Sequence, residues 1–140
     1  METTIRISLF LLALAISAGC STTPTSSGNA VAAPVERLSA LQDPPAGEYA
    51  TLVVTRDQGF WGSACDTVVS VDGREVGRIR AGEMARFYVK PGVIILAAQA
   101  TSLCPGGLKE RQVKLDPASL VRYRISIDAS GVMDLSPTAF

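Results

Sequence analysis

The feature that most constrains this chain is a regular alternation of apolar and polar residues that begins near residue 50. In "MARFYVK", Ala85, Phe87 and Val89 fall on one face, and "VRYRISI" alternates in the same way. A period of two is typical of strands with one buried face. The β-branched runs "TLVVT" and "TVVSV" predict two more strands, and the wholly apolar "VIILAA" predicts a central strand covered on both faces.

Turn residues separate these runs at short intervals. Asp72-Gly73 predicts a type I′ hairpin, because glycine accepts the positive φ angle that this turn requires. The stretches "AGE", "KPG" and "CPGG" indicate further turns. Short strands with closely spaced turns are typical of a sandwich. We therefore predict an all-β, antiparallel β-sandwich of about seven to eight strands over residues 50–140.

An apolar run at residues 7–19 stops abruptly at a cysteine, in "LFLLALAISAGCSTT". A helix needs about 20 apolar residues to cross a bilayer, so this run is too short for a resident span. It has the length of a signal-peptide core. The small residues Ser17, Ala18 and Gly19 lead directly to Cys20, and the pattern resembles the lipobox of bacterial lipoproteins.

The lipobox resemblance implies that residues 1–19 are a signal peptide, removed before Cys20 receives its lipid. Ser21 stands where aspartate would signal retention in the inner membrane, so the resemblance favours the outer membrane, with the domain facing the periplasm. Two or three acyl chains give stable anchoring. The alternative, a buried helix with an incidental cysteine, does not account for the polar stretch "STTPTSSGNA".

Residues 20–49 are predicted to form the lipidated N-terminus and a flexible linker. "VERLSALQ" would make two helical turns, with Val35, Leu38 and Leu41 on one side, only if it packs on the domain. A flexible tether of about 26 residues has a reach of about 28 Å. It would hold the domain near the membrane without fixing its orientation.

The chain has three cysteines, an odd number for an oxidising compartment. Assigning Cys20 to lipid leaves Cys65 and Cys104, which we predict to form a disulfide. That bond would close a loop of about 40 residues, worth about 4 kcal/mol in the chain-entropy model. Two free buried thiols are the alternative.

Histidine is absent from the sequence, which excludes Ser-His-Asp and Cys-His sites. Two cysteines without histidine are too few ligands for structural zinc, and no calcium-loop or phosphate-loop spacing occurs. We therefore expect no metal and no cofactor. A net charge of zero and a pI near 6.2 provide no electrostatic footprint for nucleic acid.

Six aspartates are the remaining candidates for paired-carboxylate chemistry. Most of them lie where strands begin or end, and aspartate is a turn former there. The six are Asp57, Asp66, Asp72, Asp116, Asp128 and Asp134. We expect a non-catalytic module that binds an envelope protein or polymer. The alternative is an envelope hydrolase that uses a carboxylate or serine site without histidine.

The loop "TRDQGFWGSACD" places Phe60 and Trp61 between two glycines, just before Cys65. A rigid loop of this kind would present two aromatic side chains to a partner or to the face of a sugar. Inward packing, as a cap on one end of the sandwich, is the alternative, and the low aromatic content of 6% favours it. The basic residues of the two alternating strands are interpreted as a solvated sheet face. They are Arg86, Lys90, Arg122 and Arg124.

The run "VSVDGREVGRIRAGEMARFYVKPGVIIL" is similar to PEGA-type surface modules. With "ATLVVTRD" before it and "LVRYRISI" after it, it resembles more closely the bacterial lipoproteins grouped as domain of unknown function 2846. The resemblance covers about residues 50–135 and is carried by turn residues and strand patterns. It implies an immunoglobulin-like or transthyretin-like sandwich in the cell envelope, and it implies no activity.

Overall fold

The computed structural model describes residues 22–59, 62–104 and 106–140. These residues form nine strands and one 3-10 helix, Val35–Arg37. The strands are β1 Val31–Ala32, β2 Ala50–Arg56, β3 Thr67–Val71, β4 Arg74–Ile79, β5 Glu83–Val89, β6 Gly92–Ala100, β7 Leu108–Leu115, β8 Leu120–Ile127 and β9 Met133–Pro137. Each alternating or β-branched run of the sequence lies in one of these strands.

The strands form two sheets, which confirms the predicted all-β sandwich. One sheet has five strands in the order β1-β5-β2-β8-β9, and the other has four in the order β4-β3-β6-β7. Eight strands follow residue 49, as expected, but the pairing is not wholly antiparallel. The pairs β2–β8 and β1–β5 are parallel. The β2–β8 pair is parallel because β8 starts at the same end as β2, after the chain crosses over from β7 in the other sheet.

The core lies between the inner faces of the two sheets. In β5 the predicted faces are confirmed, because Ala85, Phe87 and Val89 are buried while Arg86 and Lys90 are exposed. Burying one large apolar side chain contributes about 1.5–3 kcal/mol. A register slip of one residue would turn the whole buried set toward water, so the core fixes the register. Buried side chains from the other strands include Leu52, Val54, Ile125 and Leu135 from one sheet and Val69, Leu96 and Val113 from the other.

Strand β6 differs from the sequence expectation of cover on both faces. It is central in the hydrogen-bonding order, between β3 and β7. Its outer face is nevertheless open, with Val93 60% exposed and Ile95 40% exposed. An apolar run alone does not distinguish a strand covered on two faces from a strand with an apolar solvent face.

The turn between β3 and β4 has the predicted conformation. Asp72 and Gly73 have φ angles of 50° and 77°. Two consecutive positive φ angles are the requirement of a type I′ turn, which matches the twist of the strands it joins.

Part of the segment predicted to be a flexible linker packs on the sandwich instead. Val31 and Ala32 pair with the start of β5, and Leu38 pairs with Gly77 of β4. The segment therefore spans from the edge of one sheet to the edge of the other. It satisfies backbone groups that those two edges would leave unpaired. Ala33, between these contacts, is only 7% exposed and belongs to the core.

The predicted two-turn helix is reduced to the single 3-10 turn. Val35 points to solvent and is 68% exposed, while Leu38 and Leu41 pack against the core. The Tyr88 amide donates to the Leu41 carbonyl at 2.9 Å, and Leu41 has a φ angle of 60°, so the segment is bonded to β5 and leaves the helical conformation there.

The strand registers define two ends of the sandwich. Thr55 pairs with Met84 and Arg124 near one end of the five-stranded sheet, and Thr67 pairs with Ala100 in the other sheet. The connection of β2 to β3 joins those sheet ends. We call this end the 57–66 end; it carries the loops at 57–66, 80–82, 101–107 and 128–132. The opposite end, the 72–73 end, carries the loops at 43–49, 72–73, 90–91 and 116–119.

Candidate functional site

The predicted site residues divide between described and undescribed parts of the chain. Cys65 and Cys104 are described, and both lie at the 57–66 end. Cys20, Phe60 and Trp61 lie outside the described residues.

Cys65 and Cys104 lie at disulfide distance, with their Cα atoms 6.1 Å apart. The bond joins the 57–66 loop to the 101–107 loop. The Cys104 amide donates to the Thr101 carbonyl at 2.8 Å, and the Thr101 amide donates to the Asp66 carbonyl at 3.3 Å. Covalent and hydrogen-bonded contacts therefore connect these two loops.

Arg56, the last residue of β2, holds the 57–66 loop from inside the sandwich. It is in phase with the inward-facing Leu52 and Val54, and it is only 2% exposed. Its guanidinium donates to the backbone carbonyls of Gly62 and Cys65. Burial lowers the pKa of Arg56, and more distant carboxylates raise it less. The charged guanidinium of Arg56 thus lies beneath this loop, where an apolar side chain would be usual.

An ion pair closes the side of the loop next to β4. The Arg80 Nε lies 2.6 Å from Asp66 Oδ1. The hydrogen bond from Arg80 lowers the pKa of Asp66, although partial burial opposes this effect. Because Arg80 is 54% exposed, this pair contributes less to stability than its short distance suggests.

Asp57 fixes the other side of the loop to the chain before β1. By alternation it points outward from β2, yet it is 1% exposed. The Thr25 amide donates to Oδ1 at 3.1 Å, and the Arg124 Nε lies 3.3 Å from Oδ2. Burial raises the pKa of Asp57, while the Thr25 amide and the Arg124 charge lower it less. The sequence alternation could have indicated the buried Arg56, but not this buried carboxylate.

The basic residues of the five-stranded sheet lie on its outer face. Arg86 and Arg122 flank Val53 in the strand register, and Val53 is only 2% exposed. Arg124 differs from the other three basic residues because it contacts Asp57.

The six aspartates are distributed over both ends of the sandwich and one edge strand. Asp72 accepts a hydrogen bond from the Ile95 amide at 2.8 Å, and Asp134 pairs with Arg111 at 3.0 Å. Two acids, Asp43 and Asp72, line a depression of about 270 Å³ at the 72–73 end. In the part of the chain that the structure describes, no group of three or more metal-ligating side chains comes together.

Comparison with known proteins assigns the chain to no family. No protein-family model matches the sequence, and no curated protein matches it. The resemblance to the domain of unknown function 2846 lipoproteins therefore stays a prediction. Over residues 22–59, 62–104 and 106–140, no helix has the length and apolarity needed to cross a membrane.

Proposed function

We propose that the protein is a lipid-anchored component of the cell envelope, attached through Cys20 to the outer membrane. Its sandwich is a non-catalytic module that binds an envelope protein or polymer. The apolar run before Cys20 and its resemblance to a lipobox support the anchor. The resemblance of the strand region to envelope lipoproteins supports the module.

The arrangement of the cysteines carries the proposal. Cys65 and Cys104 lie at disulfide distance, so Cys20 is the odd cysteine of the three. Structural disulfides persist in exported proteins and are rare in the reducing cytosol. A pair in the domain and a single cysteine directly after an apolar run are both explained by export followed by lipidation.

The rigid construction of the sandwich supports a binding role for the module. Binding residues are often found on loops that a rigid scaffold positions. Here the disulfide, the Arg56 guanidinium and the Asp66–Arg80 pair hold the described residues of the 57–66 loop to the sandwich.

The anchor is tested by labelling cells with palmitate and separating their membranes. We expect the native chain to take up label and to fractionate with the outer membrane, and Cys20→Ala to lose both properties. The matched control is the double variant Cys65→Ala/Cys104→Ala, which keeps Cys20 as its single cysteine and should still be labelled. Unchanged labelling of Cys20→Ala would exclude this lipidation site.

The module is tested by crosslinking in the intact envelope, followed by mass spectrometry of the adducts. We expect one recurrent envelope protein or polymer. Adducts that merely follow the abundance of envelope components would contradict a specific binding role.

A further inference from the structure

The first described residues of the chain are fixed to the 57–66 end of the sandwich. The Thr22 amide donates to the Ile127 carbonyl at 3.1 Å, and the Ile127 amide donates to the Thr22 hydroxyl at 3.1 Å. The Gln58 amide donates to the Thr23 carbonyl at 3.1 Å. Residues 22 and 23 therefore bond to the last residue of β8 and to Gln58, two residues after the end of β2.

A close backbone approach accompanies these bonds. A Cβ atom at Gly59 would lie 2.8 Å from the Thr22 Cα, a contact that real Cβ atoms do not make. Only glycine leaves room for Thr22 at this place. Three residues further along, the Thr25 amide donates to the buried Asp57 carboxylate, so the attachment continues along the segment.

This attachment places residue 20 close to the sandwich. Two residues of fully extended chain span at most about 7 Å. The attachment point of a lipid on Cys20 would therefore lie within about 7 Å of Thr22 on the domain, where a free 26-residue tether would separate anchor and domain by about 28 Å. An anchor this short brings the 57–66 end to the membrane surface.

The exposed side chains of the 57–66 end suit a membrane surface. Leu103 is 99% exposed and Val132 is 51% exposed, in two different loops of this end. Asp128 accepts hydrogen bonds from the Ser130 and Val132 amides, both at 2.9 Å, and so holds the turn that carries Val132. Exposed apolar side chains next to a lipid anchor add contact area with the acyl boundary.

The loops of the 57–66 end also carry fewer unpaired charges than the loops of the 72–73 end. In the described loop residues of the 57–66 end, the charged side chains are the buried Asp57, the paired Asp66 and Arg80, and Asp128. The loops of the 72–73 end carry five charges, Asp43, Glu48, Asp72, Lys90 and Asp116, and of these Asp116 is paired, with Lys114 at 3.2 Å. Placing the 57–66 end against lipid therefore removes fewer unpaired charges from water and costs less free energy.

We propose that the 57–66 end of the sandwich lies on the bilayer surface, with Leu103 and Val132 in contact with lipid. The 72–73 end then points away from the membrane. This inference rests on the lipid anchor proposed above and adds a fixed orientation to it.

Photo-crosslinking of the full chain in its own membranes tests the orientation. The photoreactive residue p-benzoylphenylalanine replaces Leu103 in one variant. In the matched variant it replaces Leu120, which is 49% exposed at the 72–73 end. We expect adducts with radiolabelled phospholipid from the variant at position 103 and none from the variant at position 120. Position 132 is a second site away from the disulfide loop and should behave as position 103 does.

Palmitate labelling of the same samples separates the two proposals. Equal phospholipid adducts at positions 103 and 120, or none at 103 and 132, in palmitate-labelled protein would overturn the orientation and leave the anchor intact. Protein that takes up no palmitate would overturn the anchor, and with it the orientation that depends on it.

Discussion

The buried guanidinium of Arg56 offers the sharpest test of how the 57–66 loop is held. Arg56→Met keeps an unbranched stem and removes every donor. Two effects oppose each other in this variant. Hydrogen bonds from a charged donor contribute about 1.5–3 kcal/mol each. Burying the charge costs several kcal/mol, and no carboxylate within the described residues lies at ion-pair distance from Arg56 to offset that cost.

The two carbonyl groups that accept hydrogen bonds from Arg56 decide how much stability the variant loses. The Gly62 carbonyl still accepts the Cys65 amide, at 2.9 Å, when Arg56 is gone. The Cys65 carbonyl loses its side-chain donor in the same variant. Leaving one such carbonyl without a partner costs about 1–3 kcal/mol. Because the lost hydrogen bonds and the relieved burial of charge largely cancel, we expect Arg56→Met to lower the free energy of unfolding by about 2 kcal/mol.

Urea unfolding of the oxidised domain measures this loss. With a slope of about 1–3 kcal/mol per molar for a small protein, the midpoint should fall by about 1 M. The matched control is Arg78→Met, since Arg78 is 46% exposed and pairs with Glu75 on the surface; its midpoint should stay at the native value. An Arg56→Met variant as stable as the native domain, or more stable, would show that the Cys65 carbonyl does not depend on this donor and that Arg56 does not hold the loop.

Three further predictions follow from the same end of the sandwich. The double variant Cys65→Ala/Cys104→Ala should lose about 4 kcal/mol of stability in urea unfolding, and alkylation of both thiols in unreduced exported protein would show that the bond is absent. Because the pKa of Asp57 is raised above its ordinary 3.8, the folded state binds this proton more tightly than the unfolded state. Stability from this group therefore falls as pH rises from about 3.8 through the raised pKa, and urea midpoints across that range should lose this slope in Asp57→Asn; equal slopes would contradict it. Trp61→Ala should cost about 3–5 kcal/mol in a thermal melt if Trp61 caps the core, as we expect; a negligible loss would make Phe60 and Trp61 the first residues to test for binding.

The strands could be predicted from the sequence because their cause is local. Alternation in "MARFYVK" and "VRYRISI" reports which side chains face the core, whatever the order of the strands in the sheet. The Asp72-Gly73 turn is local in the same sense, since two adjacent residues determine its φ angles. The parallel pairing of β2 with β8 could not be predicted, because their residues lie about 70 positions apart and no local pattern links them.

The contacts that hold the 57–66 loop were only partly accessible from the sequence. In "TLVVTRD", Arg56 is in phase with Leu52 and Val54, so its burial has a signal. No sequence pattern identifies its hydrogen-bond partners, because they are backbone carbonyls, which every residue carries. Asp57 is covered by a segment that lies 32 residues earlier in the chain, and that contact also leaves no pattern.

The segment before β2 shows why composition overestimates the length of a tether. Small and polar residues predict flexibility because they have little apolar surface to bury. Backbone pairing needs no such surface, and the edges of β5 and β4 provide unpaired amides and carbonyls. Ala33 then adds one small apolar side chain to the core. The free length between an anchor and a domain therefore ends at the first residue that finds a backbone partner. Here that residue, within the described chain, is Thr22, so with the proposed anchor on Cys20 the fold would set the orientation that a flexible linker leaves free.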